Sequence, residues 1–141
     1  MSSRILIPIN DSPTTHRTID DIIANRERFA ARLVLLHVIN DQLAYRMIPD
    51  FQIGMVRENA LKAATGRMEV LAEKLRGAGF AVELRIEFGT PRRVIPQIAN
   101  DEDFHLLVLG RRTGRGEIRD VLFGSVANYV LHNVRCPVLL F

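Results

Sequence analysis

Five short runs, mostly of apolar residues, punctuate this chain, and the stretches between them leave few folds open. The runs are 4–9 (RILIPI), 33–39 (LVLLHVI), 80–87 (FAVELRIE), 106–109 (LLVL) and 137–141 (PVLLF). Nearly unbroken apolar runs rich in branched residues suit strands covered on both faces, as in a parallel sheet. The third run differs. Phe80, Val82, Leu84 and Ile86 alternate with Glu83, Arg85 and Glu87, which predicts a strand with one wet face near a sheet edge. Helical patterns fill the gaps, giving β-α-β-α-β-α-β-α-β. That alternation predicts an α/β fold: a single doubly wound, open, parallel five-stranded sheet with helices on both faces. At 141 residues and 48% hydrophobic content, one domain has enough chain for a core.

The connecting segments carry their own signals. Ser12-Pro13 reads as an N-cap and first helical residue, with Ile19, Ile22, Ile23, Phe29 and Ala30 on the buried side. Residues 40–54 have no clear period. Asn40-Asp41, Pro49-Asp50 and Gly54 are turn signals among apolar Leu43, Tyr45, Met47, Ile48, Phe51 and Ile53. Such a loop covers a ligand, a subunit contact or the core. Leu61, Ala64, Met68, Leu71 and Leu75 recur at three- and four-residue spacing, one face of a helix that Gly77 and Gly79 end. Gly89-Thr90-Pro91 repeats the device of turn, cap and proline. Val94, Ile95, Ile98 and Ala99 then point inward. Pro96 either kinks that helix or marks a later start.

Charge and cysteine content narrow the function classes. The net charge of +3 is modest and the basic residues are mostly scattered, so nucleic acid is not the expected partner. Arginine far outnumbers lysine, which suits fixed pairing with carboxylates or phosphates. No apolar run is long enough for a signal peptide or a membrane span. The one cysteine, Cys136, excludes an internal disulfide and fits a reducing, cytoplasmic compartment; a small buried hydrophobe is its simplest role.

In a doubly wound sheet, ligands sit beyond the carboxyl ends of the strands where the winding reverses. The loops after the first and fourth strands reach that point if those strands are neighbours. The last third of the chain then matters most. It passes from a buried strand through a glycine-broken, arginine-rich loop to Gly124-Ser125, where a short helix begins. Glycines let backbone N–H groups approach an anion, and a helix start presents unpaired N–H groups with partial positive charge. Familiar nucleotide motifs are absent. There is no G-x-G-x-x-G after the first strand and no G-x-x-x-x-G-K-[ST] anywhere. A phosphorylation receiver would need an acceptor Asp after the third strand, where Glu87-Phe88 stands instead.

Along its whole length the chain resembles the universal stress proteins. The opening ILIPINDS, the second strand LLHVI, FGTP before the third helix, and GRRTGRGEIRDVLFGSVANYVLHNVRCPVLLF all carry the likeness. ATP-binding members have Gly, two residues, Gly, nine residues, Gly, then Ser or Thr. Here Gly114, nine residues and Gly124-Ser125 keep that spacing, but three residues separate Gly110 from Gly114. The resemblance implies a Rossmann-like fold and an ATP site, with or without magnesium. Gly110 and Gly114 would pass close to ribose and phosphates. Gly124, Ser125, Val126 and Ala127 would offer backbone N–H groups, and Ser125 a hydroxyl. Pro8, Ile9 and Asn10 would line adenine and ribose, and Val38 would offer backbone contacts to adenine. Arg111, Arg112, Arg115 and Arg119 divide between solvent and phosphate, Arg111 being counted with the site.

The family often has Asp where this chain has Asn10. Asn offers a cation only a neutral carbonyl oxygen, so weaker metal dependence is expected unless the turn rotates the adjacent Asp11 inward to replace the charge. No catalytic set is discernible, and no metal-ligand cluster. His37, in an apolar strand, reads as a satisfied core histidine. The resemblance points to ATP-linked regulation through an unidentified protein partner, with at most slow hydrolysis. The alternative is a nucleotide-independent stress or adaptor protein with a vestigial glycine loop. The last strand, with Val138, Leu139, Leu140 and Phe141, is apolar on both faces. It predicts a homodimer by edge pairing, as the resemblance also implies.

Overall fold

The computed structural model describes residues 3–10, 12–40, 47–110 and 125–141, with Ser125 represented by its backbone alone. Strands and helices alternate: β1 (Arg4–Pro8), α1 (Pro13–Ala24), β2 (Arg32–Ile39), α2 (Asp50–Gly77), β3 (Val82–Phe88), α3 (Pro91–Asp101), β4 (Leu106–Leu109), α4 (Ser125–Asn133) and β5 (Val138–Leu140). The five strands form one parallel sheet in the order β3-β2-β1-β4-β5. The chain winds outward in one direction from β1 to β3, then returns to β4 beside β1 and winds the other way.

The period of two along each strand sorts its side chains between two apolar layers. Ile5, Ile7, Leu33, Leu35 and Val108 face α1 and α2, meeting Ile19, Ile22, Met68 and Leu75. Leu6, Val34, Leu36, Leu107 and Leu109 face α3 and α4, meeting Ile95, Ile98, Ala99 and Val130. Ile5, Leu6, Ile7, Leu33, Leu35 and Leu107 are essentially inaccessible. Each such side chain stabilises the fold by up to about 1.5–3 kcal/mol, which is why the strands read so clearly as apolar runs. Asn100 pins the α3–α4 side: its Nδ2 donates to the Asn133 carbonyl and its Oδ1 accepts from the Arg135 N–H. Among the described residues no helix is long and apolar enough to cross a membrane.

Several expectations change. Residues 50–54 are not loop but the first turns of α2, and Gly54 lies inside the helix with open space around it. Residues 41–46 of the expected loop lie outside the described residues. Leu61, assigned to the buried face, is 41% exposed. The front of α2 carries no buried residue before Ala64. At the other end, Gly79 adopts φ +100°, a conformation glycine tolerates, and turns the chain into β3. The first helix stops at Ala24, so Phe29 is buried from the connection behind it and Ala30 is exposed. α3 begins at Pro91 and runs through a buried Pro96, removing the later start. Ser12 and Thr90 occupy N-cap positions, but neither side chain makes a capping hydrogen bond.

Candidate functional site

β1 and β4 are hydrogen-bonded neighbours, so the winding reverses between them. Their outgoing connections lead to opposite faces, α1 on one and α4 on the other, and the sheet top between them is left open. A cleft of about 320 Å³ occupies that position. Pro8 ends β1 within it and Ile9 follows, Leu36, His37 and Val38 come from β2, and Leu109 ends β4 with Gly110 just after it. The walls are Thr14, Thr15 and Thr18 of α1, Pro91 and Ile95 of α3, and Val126, Ala127 and Val130 of α4.

Of the residues expected at the site, Pro8, Ile9, Asn10, Val38, Gly110, Val126 and Ala127 all line this one cleft. Ser125 opens α4 through its backbone. Arg111, Gly114 and Gly124 lie outside the described residues, and so does the glycine loop with its extra residue. The threonines of α1 were not singled out in the sequence. The signal was there: hydroxyl residues at 14, 15 and 18 stand one helical turn apart, just behind a proline-led helix start.

Those threonines explain Gly110. A Cβ added there would land on Thr18 Oγ1 and lie 2.7 Å from Thr14 Cγ2. Thr18 is itself fixed, its hydroxyl donating to the Thr14 carbonyl at 2.8 Å. The close approach of β4 to α1 therefore gives Gly110 a packing reason of its own.

Asn10 organises the loop after β1. Its Oδ1 accepts from the Ser12 N–H at 2.9 Å, from the Ser12 hydroxyl at 2.6 Å and from the Thr15 hydroxyl at 2.8 Å. Its own N–H donates to Thr15 Oγ1 at 3.0 Å. A backbone N–H can only donate, so the Asn10 atom facing Ser12 is oxygen and the amide nitrogen points elsewhere. The side-chain oxygen of Asn10 is thus engaged in holding the loop. His37 is half-buried and its Nδ1 lies 3.2 Å from the Ile9 carbonyl, so Nδ1 carries the proton and ties β2 to the end of β1.

The described cleft lining contains no Asp, Glu, Lys or Arg. Its polarity comes from hydroxyls, the Asn10 amide, His37 and helix starts. Pro91, the first residue of α3, lies in the wall, as do the opening turns of α1 and α4. Helix starts present unpaired N–H groups and partial positive charge. Apolar walls with donors at the strand ends suit a flat, partly apolar ligand bearing an anionic group.

A doubly wound sheet with a cleft at its winding reversal defines the Rossmann-like class of α/β proteins, and comparison with known sequences narrows it. The model of the universal stress protein family matches residues 1–141, and the chain belongs to that family. It is 29% identical to universal stress protein MJ0577 of Methanocaldococcus jannaschii, across 99% of this chain and 94% of that one. The solved structure of MJ0577 superposes with a TM-score of 0.80, covering 99% of this chain and 95% of the other at 28% identity. A universal stress protein of Thermus aquaticus is 32% identical over 99% of this chain and 98% of its own. Two universal stress proteins that share the fold are solved with ligands. One is in complex with cAMP (TM-score 0.67, 20% identity, 99% and 96% coverage). The other, from Archaeoglobus fulgidus, is in complex with dAMP (TM-score 0.64, 17% identity, 98% and 96% coverage).

Proposed function

We propose that this chain is an ATP-binding regulatory protein of the stress response that acts through a protein partner. The observation that carries the reading is convergence. Residues far apart in sequence, Pro8 to Asn10, Val38, Gly110 and Val126-Ala127, line one cleft at the winding reversal. Adenine and ribose would lie against Pro8, Ile9 and Val38. The phosphates would face the start of α4, with Gly114, Gly124, Ser125 and Arg111 added from the glycine loop. The adenine-nucleotide complexes of two family members support the ligand class. A partner would read the nucleotide state, since a switch needs only different partner affinity in its two states and no rapid turnover. We place this activity in the cytoplasm.

A homodimer through β5 belongs to the same proposal. β5 ends the sheet on one side, and Leu139 and Leu140 pack into opposite apolar layers, so neither face carries charge. A twofold axis would pair two such edges antiparallel.

Calorimetry and thermal unfolding with ATP, ADP, AMP and cAMP test the reading. One site per chain is expected, and a ligand at about one hundred times its Kd raises stability by about 2.7 kcal/mol, a readable shift in Tm. Ala127→Glu, which places a carboxylate in the wall, should remove the effect. No heat and no shift at millimolar nucleotide, with and without magnesium, would point instead to an adaptor that works without nucleotide.

A further inference from the structure

We infer that the amino end of the sheet carries a docking groove for an acidic segment of a protein partner, one that sets an apolar side chain among carboxylates. The inference rests on the partner in the reading above and is independent of the nucleotide. Two connections lie side by side at that end. One leads from α1 to β2 and makes a single 3₁₀ turn, Arg26–Arg28, before Phe29, Ala30 and Ala31. The other leads from α2 to β3 through residues 78–81. The Leu33 N–H donates to the Ala81 carbonyl at 2.9 Å and holds the two together. Between them is a groove of about 380 Å³, more open than the cleft and at the opposite end of the strands.

Residue size makes the hollow. Phe29 and Phe80 line it, yet they are only 5% and 9% exposed. Ala30, Gly79 and Ala81 are exposed beside them and too short to close over the rings. A Cβ built on Gly79 meets nothing within 4 Å. Recessed rings are reached by a projecting side chain, the usual anchor of a protein interface, and not by the flat face of a bilayer.

Charge selects the kind of segment. Residues 25–32 (NRERFAAR) hold three arginines against one glutamate. Arg26 lines the groove, and Arg28 and Arg32 are exposed on the same stretch. No ion pair among the described residues uses any of the three, whereas Arg4, Arg76 and Arg85 are each joined to glutamate. A guanidinium stays charged at every physiological pH, and its fork matches a carboxylate. An apolar anchor in the groove with carboxylates on its flanks therefore complements this surface in both shape and charge. The groove lies away from the cleft, so a partner held there leaves the nucleotide site uncovered.

The experiment uses a set of short labelled peptides that carry leucine or phenylalanine among aspartates and glutamates, and a matched set with lysine in place of the acids. By fluorescence anisotropy at low salt, the acidic set should contain binders with Kd of about 100 μM or tighter, and the lysine set none. Binding should move the amide NMR signals of Ala30, Ala31, Gly79 and Ala81. Arg26→Glu should weaken it by about tenfold or more and leave ATP binding unchanged. Ala81→Phe, which fills the groove without altering charge, should weaken it as well. An acidic set without binders overturns the inference, as do equal binding by both sets and NMR shifts confined to another surface. Sedimentation with phosphatidylserine vesicles in the absence of peptide binding overturns it in favour of a membrane. Wild type that binds acidic peptides but no ATP strikes the nucleotide reading and leaves the groove standing. The wild-type titrations and NMR shifts decide the matter even if a variant folds poorly.

Discussion

The two edges of the sheet manage an unpaired strand in opposite ways. β3 carries Glu83, Arg85 and Glu87 on one face, joined to charges from neighbouring elements. Arg85 donates to Glu87 at 3.0 Å and also pairs with Glu102. Arg4 lies 3.9 Å from Glu83, and its guanidinium sits 4.5 Å from the centre of the Phe104 ring. β5 holds only Val138, Leu139 and Leu140, half-buried between the two apolar layers. A charged edge resists the addition of another strand, and an apolar one invites it. The two edges of the sheet thus differ sharply in polarity. The side with ion pairs faces solvent, and the side without them is where a second copy would join.

The largest change should come from charging the apolar edge. Leu139 packs on the layer that holds Phe29 and Phe141, whose ring centres are 6.1 Å apart. Leu139→Asp should cost about 3 kcal/mol or more, since a carboxylate there has no partner. Urea unfolding would measure that loss, and light scattering should show monomers where wild type shows dimers. A variant that unfolds less readily and stays dimeric would remove the contrast between the edges.

Ile86→Ala trims the apolar face of β3 and tests whether that edge is held by packing. Ile86 is partly buried, so the loss should be about 1–2 kcal/mol by urea unfolding, below that of a full core truncation. The oligomeric state should not change.

Arg85→Ala removes the hub of the ion pairs and should cost less still, under about 1 kcal/mol, because the pairs are partly solvated. The deficit should shrink in high salt. The hydrogen bond that Arg85 donates to Glu102 is the main reason that its guanidinium is held charged above its ordinary value, with burial opposing it. A cation whose folded pKa is raised loses its contribution only as pH climbs through that pKa. The Arg85 contribution should therefore be flat from neutrality to about pH 10. A strong slope in that window assignable to Arg85 would contradict it.

The smallest effect belongs to Cys136, at the entrance to β5, where burial pushes the thiol above its ordinary value. The unfolded chain ionises first as pH rises, so this group favours folding at neutral pH and its contribution fades above the usual thiol range. The change should be small, and absent in Cys136→Ser. Alkylation by iodoacetamide should be slower in the folded protein than in urea at the same pH.

The core of the fold was legible because it rests on simple patterns. Runs such as LVLLHVI can only be buried on both faces, and the alternation of FAVELRIE marked the edge. Once β1 and β4 were neighbours, the site residues Ile9, Asn10, Gly110 and Ala127 had to meet. The rest turned on direction, which residue type does not carry. Asn10 was read as lining the site, and nothing in its residue type announced that its oxygen also ties the loop to Ser12 and Thr15. Gly110 was read as room for a ligand, and the sequence did not show that it is also room for Thr14 and Thr18. Pro49-Asp50 and Gly54 are turn signals that here begin a helix, because nothing crowds the chain there and the regular hydrogen bonds of α2 simply extend forward.

That extension has a consequence for motion. α2 runs from Asp50 to Gly77, about 42 Å at the usual rise, but its first buried residue is Ala64. Phe51 and Met55, at 82% and 67% exposure, bury little that would hold the front turns down. Gly54 lowers their helical preference by about 1 kcal/mol relative to alanine. The helix therefore behaves as two units on one axis. Amide protons ahead of Ala64 should exchange with solvent through local openings, held back there by little more than the helix itself and the Arg57 guanidinium, 4.4 Å from the centre of the Phe88 ring. Those beside Met68, Leu71 and Leu75 should wait for the sheet to come apart.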